Sequence, residues 1–379
     1  MLIIDLALII GGLVLLVVGG ELLVRGASTI ATRVGISPLV VGLVVVSAAT
    51  SAPELAVTVG AVIEGEPGLA VGNVIGSNII NILLILGLSA LVLPLIIKQQ
   101  LVRFDIPVMV GLSALLLVVS LDGRIDLVDG ILLLAGLIVH VVLSIVISRR
   151  EIRVQATVPA SESPSPEADS VADGKPVPLW LAIVLVLGGI GLLVLGAQLL
   201  VDGAVSIAVS LGVSSLIVGL TVVAIGTSLP ELATSIIAVR RGERDMAVGN
   251  IVGSNIFNIG VVLGVPAIIF GEGIPVPAAA IALDLPLMLA TAIALLPIAF
   301  TGFVIARWEG ALFVALYVTY TAYLVLAATE HDALEGFTDV MLWFVLPLLA
   351  LTLAVVTAYE VGLYRGRRLA RGPAKRPRE

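Results

Sequence analysis

Apolar runs of 18 residues or more recur along the whole chain, separated by short polar breaks. Each run is long enough as a helix to cross a hydrocarbon core about 30 Å thick. The pattern predicts eleven spans, at roughly 3–24, 36–62, 68–96, 104–121, 126–148, 179–201, 213–239, 245–270, 276–301, 308–328 and 339–363. A membrane β-barrel is excluded, because its strands would alternate in polarity over about ten residues. The expected fold class is therefore an all-α integral membrane protein. One stretch, Arg149 to Pro178, breaks the rhythm. Its Ser/Pro/Glu-rich core from Pro159 to Glu167 has too little apolar surface to pack. It reads as a flexible cytoplasmic linker (149–178) between residues 1–148 and 179–328, with 339–379 adding a further helix and a basic tail.

Composition strengthens this picture. The 379 residues are 59% hydrophobic and only 12% charged, with a mean hydropathy of +1.21. Cysteine is absent, which removes disulfides, thiol catalysis and thiolate metal sites. Two histidines, His140 and His331, are too few for a zinc cage. The start Met1-Leu2-Ile3-Ile4 has no basic region, so the first run is expected to be a retained span. With the N-terminus outside, 19 of the 20 Lys and Arg residues fall in loops on the inner side, and only Arg124 falls outside. The positive-inside rule then places the C-terminus in the cytoplasm. The location expected is a cell membrane, crossed many times. The net charge of −7 resides in the loops and names no partner; the lipid bilayer is the expected surrounding, with no nucleic acid and no obligate protein partner.

The chain contains itself twice. Gly42–Gly87 and Gly219–Gly264 align without a gap at an offset of 177, with 26 of 46 positions identical. The matches include Thr50/Thr227, Ser51/Ser228, Pro53/Pro230, Glu54/Glu231, Asn73/Asn250, Ser77/Ser254, Asn78/Asn255 and Asn81/Asn258. Weaker echoes join Asp105-Ile106-Pro107 to Asp284-Leu285-Pro286 and Asp129-Gly130 to Glu309-Gly310. Each half thus holds five spans. Five is odd, so the second copy enters the membrane from the opposite side. Inverted-topology repeats place binding sites near the midplane, on broken helices between the halves.

The repeated polar residues sit where hydrocarbon offers no water, and such placements mark function. Proline lacks an N–H, so Pro53 and Pro230 release the carbonyls of Ala49 and Gly226 four residues earlier. The hydroxyls of Thr50, Ser51, Thr227 and Ser228 stand beside them, followed by Glu54 and Glu231. Asn73, Ser77 and Asn81 recur every four residues and share a helix face, as do Asn250, Ser254 and Asn258. The donors are all oxygen, which suits Ca²⁺ or Na⁺ and not zinc or copper. Two glutamates balance one Ca²⁺. Gly72-x-x-x-Gly76 and Gly249-x-x-x-Gly253 are expected to let helix backbones approach around the site.

With Thr-Ser-x-Pro-Glu and Gly-Asn-x-x-Gly-Ser-Asn-Ile-x-Asn each present twice, the chain resembles the cation/Ca²⁺ exchanger superfamily, specifically its prokaryotic Na⁺/Ca²⁺ exchanger branch, over about residues 1–328. The resemblance implies a central Ca²⁺ held by Glu54 and Glu231 with Thr50 and Thr227. It implies Na⁺ positions at Ser51, Ser77, Ser228 and Ser254 and at the carbonyls near Ser47 and Ala224, with Asn81 and Asn258 flanking the centre. It also implies that the first and sixth spans slide across the core. Several relatives have Asp where this chain has Asn258, which here keeps the site at −2 and argues against K⁺ co-transport. Ala49 replaces the usual glycine that Gly226 retains.

The function expected is secondary antiport of Ca²⁺ against Na⁺ by alternating access, with both ions as substrates and no cofactor. A Ca²⁺/H⁺ antiporter of the same fold is the alternative; the hydroxyl and amide ligands favour Na⁺. An intramembrane hydrolase would need a base beside Ser228, and no His or Lys lies near either motif, so no enzyme is expected. A channel suits a closed central site less well. Plainer roles are assigned to Asp105 and Asp284, as helix-terminus residues, and to His140, as a packing residue. Asn73, Asn78, Asn250 and Asn255 divide between packing and support of the site.

Overall fold

Each half of the chain lays down the same succession of helices. The computed structural model describes residues 2–157, 178–212, 224–300, 303–345 and the single positions 347, 358 and 362. The first half contains α1 (Leu2–Val34), a bent span of α2 (Pro38–Thr50) and α3 (Ala52–Ile63), then α4 (Pro67–Val92), α5 (Leu101–Asp122) and α6 (Leu127–Thr157). The second contains α7 (Leu179–Ser210), α8 (Ala224–Gly226), α9 (Leu229–Arg240), α10 (Arg244–Ile269), α11 (Ala280–Ala299) and α12 (Arg307–Ala328). Among the described residues eight helices are long and apolar enough to cross a membrane, or nine when the bent pair counts as one. This is the expected multi-pass helical fold. Residues 213–223 of the seventh expected span lie outside the described residues, as does the linker from 158 to 177. Of the eleventh span the structure describes α13 (Ala333–Val340), a π-helical turn over Met341–Val345 and little beyond.

Both helix breaks fall at the repeated pentad. Ser51 (φ −80, ψ 2) and Ser228 (φ −92, ψ 7) leave helical geometry for the bridge region. Pro53 and Pro230 follow in the first turn of α3 and α9, where a missing N–H costs nothing. The two parts of the first broken span meet at 41°.

Peripheral helices of one half cover core helices of the other. α12 packs on α4, α6 packs on α10, and α5 lies beside α11. Two short antiparallel pairings pin the connections: β1 (Leu95–Ile96) with β4 (Val304–Ile305), and β2 (Arg124–Ile125) with β3 (Ile274–Pro275). The Asp129/Glu309 echo has a capping role. Asp129 Oδ2 accepts the Asp126 N–H at 2.9 Å, and Glu309 Oε2 accepts the Ala306 N–H at 2.7 Å, at the starts of α6 and α12.

α1 and α7 run antiparallel along each other's length, held close by glycines. A Cβ on Gly12 would stand 2.6 Å from the Gly196 carbonyl oxygen, and one on Gly189 would stand 2.7 Å from that of Gly19. The second small-residue motif also performs as expected: a Cβ on Gly249 would meet the Leu39 carbonyl at 2.6 Å, so α10 seats directly on α2. For Gly72 and Gly76 the equivalent partners, residues 216 and 220, lie outside the described residues.

Of α3 and α9, the α1–α7 pair packs on α9 among the described residues. Gly20 of α1 faces Ile237 and the Ala233 backbone of α9. Leu229 and Ala233 are half-buried there and Thr234 is buried, whereas their repeat equivalents Ala52, Ala56 and Val57 are exposed.

Candidate cation site

The two helix breaks bring the repeated residues together between α4 and α10. Glu54 and Glu231 are fully buried, close enough to repel each other electrostatically. Isolated buried carboxylates carry a desolvation cost of roughly several kcal/mol each, so a charge of opposite sign belongs beside them. Ser228 Oγ donates to Glu54 Oε1 at 3.4 Å. The Thr50 and Ser254 hydroxyls, 3.4 Å apart, lie next to Glu231, yet neither Glu231 oxygen has a hydrogen bond of good geometry.

Each half-site is tied to the helix that follows it. Asn73 Nδ2 donates to the Glu54 carbonyl at 3.1 Å and to Thr58 Oγ1 at 3.0 Å. Its twin Asn250 donates to Ser235 Oγ at 3.1 Å and accepts from Thr50 Oγ1 at 3.3 Å. Thr50 therefore reaches across from the first half to α10.

Four asparagines cross between the halves. Asn81 Nδ2 donates to Asn255 Oδ1 at 3.0 Å, and Asn258 Nδ2 donates to Asn78 Oδ1 at 3.1 Å. The Asn78 and Asn255 amides themselves donate to Met288 Sδ at 3.5 Å and Met109 Sδ at 3.4 Å. The Asn81 and Asn258 amides are thereby oriented, and both their oxygens lack a partner. Asn78 and Asn255 thus act as orienters, a division of labour that their spacing alone left open.

Seven buried oxygens of the motif residues have no hydrogen-bond partner among the described residues: Ser51 Oγ, Glu54 Oε2, Asn81 Oδ1, Thr227 Oγ1, both of Glu231, and Asn258 Oδ1. Buried polar atoms are nearly always paired. A set of orphaned oxygens around two carboxylates is what a hard cation would complete. Among the described residues no group of three or more His, Cys, Asp or Glu forms, so the acidic charge here is these two glutamates. Ser77 is buried on α4 one turn before Asn81. Ser47 turns its hydroxyl onto the Leu43 carbonyl at 2.5 Å, while its own carbonyl accepts the Ser51 N–H at 2.9 Å and the Thr50 hydroxyl at 3.5 Å. Ala224 opens α8, one turn before Thr227.

Two expectations need correction. Asp105 precedes α5's regular turns but makes no capping bond. Instead its Oδ1 pairs with His140 Nε2 at 2.9 Å and accepts from Ser144 Oγ at 2.9 Å, all three buried. His140 is thus a satisfied buried residue, bonded to Asp105 and stacked on Phe104 with ring centroids 5.7 Å apart. Asp284 likewise faces the Tyr320 hydroxyl on α12. The signal in the sequence was the similar spacing of 105/140 and 284/320, 35 and 36 residues, both carboxylate-to-ring.

Inverted five-helix halves that close around a shared pair of carboxylates define a polytopic cation transporter. The chain belongs to the sodium/calcium exchanger protein family, whose family model matches residues 4–146 and 181–326. It is 43% identical over 267 residues to the inner membrane protein YrbG of Escherichia coli, covering 69% of this chain and 79% of that protein. It is 30% identical over 354 residues to the sodium/calcium exchanger MaX1 of Methanosarcina acetivorans, covering 86% and 99%. A solved structure of the sodium-calcium exchanger NCX_Mj superposes with a TM-score of 0.71 at 32% identity, over 86% of this chain and 100% of that one.

Proposed function

We propose that this chain exchanges Ca²⁺ for Na⁺ across a prokaryotic plasma membrane, with Glu54 and Glu231 at the centre of one shared site. The observation that carries the reading is the set of seven buried oxygens without a partner among the described residues, three from those two carboxylates and four from Ser51, Asn81, Thr227 and Asn258. Two negative charges balance one Ca²⁺. Hydroxyl and amide oxygens in excess of the carboxylates supply ligands that a lone proton does not need, which favours Na⁺ over H⁺ as the counter-ion. Thr50, Thr227, Asn81 and Asn258 complete the central position. Ser51, Ser77, Ser228 and Ser254, with the carbonyls near Ser47 and Ala224, serve Na⁺.

The basic-residue distribution supports an external N-terminus. On that orientation α3 forms the outer half of its span and α9 the inner half of its own. The exposure of Ala52, Ala56 and Val57, against the cover over Leu229, Ala233 and Thr234, supports a conformation open to the outside. Residues 1–148 and 179–328 act as the two repeats, joined by a cytoplasmic linker.

The test is ⁴⁵Ca²⁺ uptake into proteoliposomes loaded with Na⁺. Uptake that follows the outward Na⁺ gradient is expected. Uptake indifferent to Na⁺ but driven by a pH gradient would replace this reading with Ca²⁺/H⁺ antiport.

A further inference from the structure

We infer that Glu21, Ser28, Arg241 and Glu243 form a one-sided latch that holds the cytoplasmic face of the site shut. The inference rests on the alternating-access reading above. α1 is tied to the second half by two contacts near the inner membrane surface. The Arg241 guanidinium pairs with the Glu21 carboxylate, with Nε to Oε2 at 2.7 Å and a second contact through Nη2. About two turns further along α1, Ser28 Oγ donates to Glu243 Oε1 at 2.8 Å. Arg241 and Glu243 flank the tight turn between α9 and α10, where Gly242 has φ +82. The turn is therefore a rigid strike plate, and α1 is the bolt.

Repeat symmetry states what the opposite arrangement would contain. When α1 and α7 lean on the first half instead, the equivalents of Glu21 and Ser28 are Gln198 and Val205, and those of Arg241 and Glu243 are Glu64 and Glu66. Neither an ion pair nor the hydroxyl–carboxylate bond can form from that set. Asp202 on α7, in the place of Arg25, adds a like charge facing the acidic turn. Packing also changes, Gly20 against Ile237 becoming Ala197 against Gly60, and the latch adds an electrostatic bias toward the cytoplasm-closed state seen here. Its strength is bounded by exposure, since the two side chains keep 35% and 46% of their surface. A pair that accessible shifts an equilibrium by roughly two- to fivefold.

The chain's lack of cysteine makes a clean reporter available. Ala233→Cys, beneath α1, and its repeat equivalent Ala56→Cys are each placed in the full-length protein in liposomes. Alkylation by a membrane-impermeant maleimide is then timed. Glu21→Gln or Arg241→Gln should raise the rate at the Ala233→Cys reporter roughly two- to fivefold and lower it at the Ala56→Cys reporter. The exchanged pair Glu21→Arg with Arg241→Glu should return both rates to native. Ser28→Ala, which alters one hydroxyl, gives the same direction should a charge variant fail to fold. Unchanged rates, no recovery in the exchanged pair, or a rise at both reporters together would overturn the latch. Labelling requires no ion flux, so its failure is distinct from failure of the Na⁺/Ca²⁺ reading.

Discussion

Asn255→Leu separates a residue that orients the site from one that merely packs. The Asn255 amide oxygen accepts the Asn81 Nδ2 at 3.0 Å, and among the described residues nothing else holds that amide. With leucine in place, the Asn81 NH₂ is buried without an acceptor, which costs about 1–3 kcal/mol. The relief available to it is rotation, which withdraws the free Asn81 oxygen from the cavity. Losing an outer partner of a metal ligand weakens metal binding by about 10–100-fold. The Asn258–Asn78 arm stays intact, because Asn78 also bonds the Asn255 backbone carbonyl, which the substitution keeps. Half the amide arrangement therefore survives, and the expected effect lies at the lower end, about tenfold in the apparent KM for Ca²⁺. The assay is initial-rate ⁴⁵Ca²⁺ flux across a Ca²⁺ titration, beside thermal unfolding in detergent. A lowered Tm with an unchanged KM would refute the reasoning and leave Asn255 a packing residue.

Three further outcomes follow from the geometry. Glu231→Gln removes half the acidic charge while preserving shape, so exchange should vanish with the elution profile and Tm retained; surviving flux would take the residue out of the site. Gly253→Ala would set a Cβ 2.4 Å from the Leu43 carbonyl and 2.7 Å from Ser47 Oγ, forcing α10 off α2 at about 1–3 kcal/mol. Gly111→Ala, with no described residue within 4 Å, should leave Tm unchanged, and an equal loss in both would refute the contact argument. His140→Leu removes one of the two partners of the buried Asp105 carboxyl, at about 1–3 kcal/mol, whereas Asp105→Leu with His140→Leu should regain most of it. A Tm for the double variant no higher than for the single one would count against the pair.

The apolar runs, the 177-residue offset and the two pentads were enough to read a helical membrane protein with inverted halves and an oxygen-lined site at two helix breaks. Those inferences depend on local chemistry: a proline without a donor, a carboxylate where water is absent, and a span length matched to hydrocarbon. Which oxygens stay free depended on partners far along the chain, such as Asn255 for Asn81 and Asn250 for Thr50. The sequence alone showed seven equivalent polar pairs beside the prolines; only the tertiary structure sorted orienters from free oxygens. The same holds for His140, whose lone place on an apolar face concealed a carboxylate 35 residues away. Symmetry in sequence also left undecided which half α1 and α7 would cover. Packing decides that, because one helix pair cannot cover α3 and α9 at once, and the side carrying Arg241 offers Glu21 a charge where its twin offers Gln198 another acid.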